Sequence, residues 1–258
     1  MVGRGSVLQI RLSDEYAMTQ TNEHQGRIAV ITGGSGGIGG AIAARLKEAG
    51  AIVHGVDAKP PSAGELTFHQ GDVANENEVD RAFDAIGKGA GTIDYLICCA
   101  AIYPRQPFLE LSLDDWQRTL QINLTGSFLC CRAALRFMRP KQFGRIVMFS
   151  SMAARTGAVQ GAHYAASKGG VLGLARALAI EAAADHIRVN TISPGITDTA
   201  QPRAFLSDAD LEARKTRIPL GRIGAVQDMV EACMFLLSDE SSYVIGQDLR
   251  VNGGASLW

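Results

Sequence analysis

Tyr164 and Lys168 stand four residues apart in Tyr-Ala-Ala-Ser-Lys, and on a helix that spacing puts both on one face. Such a pair offers acid–base chemistry. A free phenol ionises near pH 10, too high for a base at neutral pH, and an ammonium one turn away favours the phenolate. Bringing the phenol from about 10 to about 7 takes roughly 4 kcal/mol of differential stabilisation. A close cation in a dry site can supply that, more so beside a second positive charge. Taken singly the pair carries little, because most Tyr/Lys pairs at this spacing are a solvated helix face. Its weight comes from other features in a fixed order along the chain.

One of these is Thr32-Gly-Gly-Ser-Gly-Gly-Ile-Gly39. It lies between an apolar run, Ile28–Ile31, and an amphipathic stretch, Gly39–Ala49. Glycines between a strand and a helix allow a tight turn and let backbone N–H groups approach a pyrophosphate, with the helix N-terminus favouring the anion. The segment fits two registers, Gly34-x-Gly36-x-x-Gly39 and Gly33-x-x-x-Gly37-x-Gly39. Asp57 follows Gly39 by 18 residues at the end of the next apolar run, near the spacing at which a carboxylate binds ribose hydroxyls. Its charge repels a 2′-phosphate, which favours NAD over NADP. Lys59, two residues on, is a cation that offsets some of that repulsion.

The elements that must position these residues alternate. Ile52–Val56, Leu66–Gln70, Tyr95–Cys98, Arg145–Phe149, Ile187–Ile192 and Asp248–Val251 read as further strands. Glu76–Ile86, Leu113–Met138, Ala162–Ala184 and Val226–Leu237 read as further helices, the second ended by Pro140. Alternation of this kind predicts an α/β fold: one doubly wound parallel sheet with helices on both faces. The domain spans 26–258 and includes a polar lid at about 197–219. Residues 1–25 read as a polar extension without a secretory apolar region, in which Met18 is a second candidate start.

Composition narrows the function classes. The chain has 258 residues, 47% hydrophobic and 20% charged, which suits one large core. A net charge of -1 gives no basis for binding nucleic acid or an anionic membrane. No apolar run approaches the roughly 18 residues of a membrane helix. Cys98, Cys99, Cys130, Cys131 and Cys233 form neither a disulfide framework nor a zinc spacing. No metal is expected, and free thiols in a cytoplasmic protein are the plain reading.

Together the Thr-Gly-x-x-x-Gly-Ile-Gly loop, Asp57, Asp72-Val73, Asn123, Ser150-Ser151, Tyr164-x-x-x-Lys168 and Pro194-Gly195 resemble the short-chain dehydrogenase/reductase family, over about Gly26 to Gly254. The resemblance implies a Rossmann-like oxidoreductase. Ser151, 13 residues before Tyr164, would polarise the substrate oxygen. Tyr164 would exchange its proton. Lys168 would lower the tyrosine pKa and bind the nicotinamide ribose, and Asn123 would steady the lysine through a water. NAD would be held by Gly33, Ser35, Gly36, Gly37, Ile38, Gly39, Asp57, Asp72, Val73, Ala100, Ala101, Tyr164, Lys168, Pro194, Gly195, Thr197 and Thr199. The resemblance also implies a homo-oligomer, tetramer or dimer, built through the two long helices.

One segment departs from the family. Cys98-Cys-Ala-Ala101 stands where Asn-Asn-Ala-Gly is usual. A thiol cannot replace an amide as a hydrogen-bonding group, and alanine restricts a backbone position that glycine leaves free. The reaction implied is hydride transfer between NAD(H) and a secondary alcohol or ketone. An alternative is an NADPH-dependent 3-oxoacyl-thioester reductase, suggested by Pro219-Leu-Gly-Arg222; a nucleotide-sensing protein without chemistry is a second. Gly36, where those reductases carry a basic residue, and Asp57 weigh against the first. The pocket would be partly apolar, through Ile102, Tyr103, Phe108, Ala153, Val159 and Phe205. Arg105, Arg155 and Arg203 are candidates to meet a carboxylate or a CoA phosphate, and His163 is expected to be packing or substrate rim.

Overall fold

The structure is a computed structural model that describes residues 23–60 and 66–257. Seven strands form its sheet: β1 (Ile28–Thr32), β2 (Ile52–Asp57), β3 (Thr67–Gln70), β4 (Tyr95–Cys98), β5 (Gly144–Phe149), β6 (Ile187–Pro194) and β7 (Asp248–Val251). Their order is β3-β2-β1-β4-β5-β6-β7 and every pairing is parallel. The chain winds outward first in one direction and then, from β4, in the other. That reversal opens a crevice between β1 and β4 at the carboxyl ends of the strands.

The strands alternate their apolar side chains between two cores. Val30, Leu96, Ile146 and Val189 face one side, where α2 (Glu76–Ala90), α4 (Gly126–Met138) and α5 (Ala162–Ala182) pack. Ala29, Ile31, Ile97 and Val147 face the other, against α1 (Gly37–Glu48) and α7 (Val226–Leu237). Both faces are covered, which is why β1 and β4 are apolar at nearly every position rather than at every second one. Local signals fix the helix ends. The Asn75 side chain accepts from the Asn77 and Glu78 amides at the start of α2, and Gly91, left-handed at φ 76, closes it.

Two elements differ from the sequence expectation. The helix expected over Leu113–Met138 is α3 (Leu113–Leu120), a π turn at Gln121–Thr125, and α4. The turn keeps the helical course but widens one step, and such turns occur mostly at functional sites. The polar lid contains structure of its own. One turn forms at Ala200–Arg203, and α6 (Asp208–Lys215) begins with a capping box between Ser207 and Asp210. Of the expected extension, residues 1–22 lie outside the described residues. His24 is buried and shares a 3.1 Å hydrogen bond with the Tyr95 hydroxyl.

Candidate active site

Registers level the strand ends: Thr32 pairs with Val56 and Cys98, and Cys98 with Met148. The loops that leave these ends therefore share one rim. They enclose a cleft of about 940 Å³. Ser151, Tyr164 and Lys168 line it, as does every residue expected to touch the dinucleotide except Ser35. Asn123 does not reach it.

Tyr164 and Lys168 lie one turn apart on α5, both buried. The Lys168 ammonium donates to the Phe149 carbonyl at 2.7 Å and sits 5.8 Å from the Tyr164 ring centroid. Burial pushes its pKa down to about 8. Burial also raises the Tyr164 phenol above its ordinary value, while hydrogen bonds from the side chains of Ser151 and Gln201 pull it back. In this structure the phenol is governed by desolvation and by those two partners rather than by the lysine charge. Gln201, in the lid, escaped the sequence reading because its reach to Tyr164 depends on how the lid folds. Ser150 is structural: its hydroxyl donates to the Lys168 carbonyl at 2.9 Å and ties the end of β5 to α5.

Asn123 occupies the π turn, fully buried. Its amide group donates to the Ile102 carbonyl at 2.9 Å and to the Ser167 hydroxyl at 3.0 Å, and its oxygen accepts from the Ile102 amide at 2.8 Å. Asn123 thus clamps the segment after β4 at Ile102, just beyond the Cys98-Cys-Ala-Ala101 stretch. Ala101 has no positive φ there, so its side chain imposes no backbone strain. Cys98 is buried in the core; the Cys99 thiol, pushed far up by burial, is a poor nucleophile. His163 is fully buried and does not line the cleft. Neither ring nitrogen has a hydrogen-bond partner among the described residues.

The glycine loop settles into the wider register. Gly33 has φ +71, and a Cβ there would lie 2.7 Å from the Ala100 nitrogen; one on Gly39 would lie 2.4 Å from the Gly33 carbonyl oxygen. Gly36 caps α1 without a side chain, and no acidic residue stands in the first turn. The helix N-terminus therefore presents uncapped N–H groups beside open space, and a pyrophosphate fits such a cradle. Ser35 stands behind it: its amide donates to the Asp57 carboxylate at 3.3 Å and its hydroxyl to the Lys59 carbonyl at 2.7 Å. Its part is to hold the loop to the end of β2. Asp57 itself faces the cleft.

A family model described as enoyl-(acyl carrier protein) reductase matches residues 33–256. The chain belongs to the short-chain dehydrogenase/reductase family. It is an oxidoreductase of that family, whose members use a nicotinamide cofactor. Among curated relatives, 3-oxoacyl-(acyl-carrier-protein) reductase FabG of Aquifex aeolicus is 35% identical over 89% of this chain and 97% of its own. D-threitol dehydrogenase of Mycolicibacterium smegmatis is 37% identical over 90% and 94%. Among solved structures, a short-chain type dehydrogenase/reductase from Mycobacterium ulcerans superposes with a TM-score of 0.83 at 32% identity, covering 90% of each chain. Among the described residues no helix is long and apolar enough to cross a membrane.

Proposed function

We propose that this short-chain dehydrogenase/reductase is an NAD-dependent enzyme acting on a secondary alcohol, or on the matching ketone in reverse. One observation carries the reading: Ser151, Tyr164 and Lys168 open into the same cleft as an uncapped helix N-terminus. In alcohol oxidation the Ser151 hydroxyl donates to the substrate oxygen and fixes it beside Tyr164. Tyr164 takes the hydroxyl proton. Lys168 supplies positive charge below the phenol and meets the ribose. Asn123 holds Ile102 and, through Ser167, the turn of α5 that bears Tyr164. Gly33, Gly36 to Gly39, Asp57, Asp72, Val73, Ala100, Ala101, Pro194, Gly195, Thr197 and Thr199 would hold a dinucleotide, which would supply the hydride acceptor.

NAD rather than NADP is favoured by the Asp57 carboxylate at the cleft wall and by Gly36, which offers a 2′-phosphate no cation. The relative named as an acyl-carrier-protein reductase favours the thioester reductase as a second reading, and the relative named as a polyol dehydrogenase favours the first. The catalytic unit is the single domain 26–258 with its lid at about 197–219. It works in the cytoplasm as a homo-oligomer, with the rods α3–α4 and α5 as the packing surfaces.

The test is Tyr164→Phe. Turnover of secondary alcohols, followed by NADH absorbance, is expected to fall by about 10²- to 10⁴-fold. NADH binding, followed by calorimetry, is expected to persist. Unchanged turnover in that variant would defeat the assignment of Tyr164 as the proton carrier.

A further inference from the structure

Beyond Tyr164 the cleft wall is aromatic and then cationic. Tyr103 stacks on Tyr164 with centroids 4.1 Å apart and planes at 22°. Phe205, from the lid, meets Tyr103 edge-on at 5.5 Å. The Arg105 guanidinium lies 4.9 Å over the Phe205 ring. Arg214, on α6, lines the same cleft. Both arginines act on Tyr103: burial raises its hydroxyl's pKa, and the two guanidinium charges pull against that rise.

The two other arginines that the sequence offered are already paired. Arg155 meets Asp248 at 3.3 Å, and Arg203 meets Asp198 and, at 3.1 Å, Asp208. Neither Arg105 nor Arg214 forms an ion pair among the described residues, although the Arg214 charge helps hold the Asp210 carboxyl, one turn back on α6, below its ordinary value. The described carboxylates lining the cleft are Asp57, which ends β2, and Asp72, just after β3, both on the glycine-loop half of the sheet. The substrate half therefore carries two exposed arginines outside any ion pair, Arg105 of them lying against the Phe205 ring. Guanidinium groups in that setting take a carboxylate or phosphate through paired hydrogen bonds.

We infer that the substrate carries a carboxylate that Arg105 and Arg214 bind, its carbon skeleton lying against Tyr103 and Phe205: the enzyme oxidises secondary hydroxy acids to keto acids, or reduces the keto acids. This rests on the function proposed above. Contacts of 4.1, 5.5 and 4.9 Å make a continuous aromatic path from Tyr164 to the Arg105 guanidinium. Along that path a substrate would lie with its carbon skeleton on the rings and an acid group of its own at the guanidinium. The chemistry balances as an alcohol oxidation. The carbinol C–H gives its hydride to NAD⁺, the O–H gives its proton to Tyr164, a C=O bond forms, and the carboxylate is unchanged.

The probes are 3-hydroxybutyrate, 4-hydroxyvalerate, 5-hydroxyhexanoate and 4-hydroxycyclohexanecarboxylate, each beside its methyl ester, with NAD⁺ and the full chain. At least one acid is expected to exceed its ester tenfold or more in kcat/KM. Arg105→Met and Arg214→Met are each expected to raise the KM for that acid by at least tenfold, with a smaller change in kcat and NADH affinity retained. Esters or neutral alcohols turned over as well as the acids by the native protein would overturn the inference while leaving the proposed function standing. Arginine-dependent turnover of acetoacetyl-CoA without arginine-dependent turnover of any acid would likewise overturn it, assigning the cations to a phosphate. Full activity in Tyr164→Phe would instead overturn the underlying function.

Discussion

Lys168 holds a cation where burial disfavours one. Its pKa falls from 10.5 to about 8, so the folded protein releases this proton more readily than the unfolded chain does. The sign of the linkage follows. Below about pH 8 both states keep the proton and the stability cost of the buried charge is constant. Between about pH 8 and 10.5 the unfolded chain binds more protons, so the cost is relieved as pH rises. Urea unfolding of the native protein and of Lys168→Met is expected to show a stability difference that is flat below pH 8 and then shifts in favour of the native protein up to about 10.5. A difference that stays flat across that window would mean the ammonium is solvated. The same desolvation acts on Tyr164 in the opposite sense and raises it. The phenol should therefore ionise at lower pH in a complex with a positively charged nicotinamide than in the free protein.

The π turn at Gln121–Thr125 acts at the element scale, tying the segment after β4 to the helix face. It turns Asn123 inward to satisfy both backbone groups of Ile102. Replacing Asn123 by Leu leaves those groups buried and unpaired, at about 1–3 kcal/mol each. The urea midpoint is expected to fall and exchange of the Ile102 amide to accelerate; an Ile102 amide that stays protected would show that the clamp is held by something else. This turn was not legible in the sequence. Its residues keep the apolar spacing of an ordinary helix, and one widened step leaves that pattern nearly intact. The Tyr164–Lys168 pair was legible, because it is a local spacing that one helix realises by itself; the glycine loop was legible in two registers, and the packing of Gly33 against Ala100 selects the wider. Tyr103 was expected in the pocket, but Gln201 and Arg214 were not, because only the fold of the lid brings those two to the cleft. The Ser207-x-x-Asp210 spacing that caps α6 is a local signal inside the stretch expected only as a polar lid. The contacts of Ser35 with Asp57 and Lys59 were not legible, since a spacing does not show which neighbour a loop side chain binds.

Across the whole molecule the cleft divides the sheet. The β3-β2-β1 half ends in the glycine loop and Asp57; the β4-β5-β6-β7 half ends in Ser151 and in the segment starting at Pro194, with α5 packed behind. A dinucleotide in the cleft would touch both halves and the lid, so its binding free energy would be added to the stability of the entire fold. A ligand present at a hundred times its Kd adds about 2.7 kcal/mol, which for a domain of this size raises the melting temperature by about 5–10 °C. The two dinucleotides differ by a phosphate that would stand beside the Asp57 carboxylate. NAD⁺ is therefore expected to raise the melting temperature more than NADP⁺ at equal concentration. Asp57→Ala is expected to narrow or reverse the difference, because Lys59 lines the same wall and loses its opposing charge. The comparison between dinucleotides is the readout, since removing the carboxylate also frees the Ser35 and Lys59 amides and loosens the loop for both ligands. An NADP⁺ shift equal to or larger than that of NAD⁺ in the native protein would place Lys59, not Asp57, in control of the adenosine end.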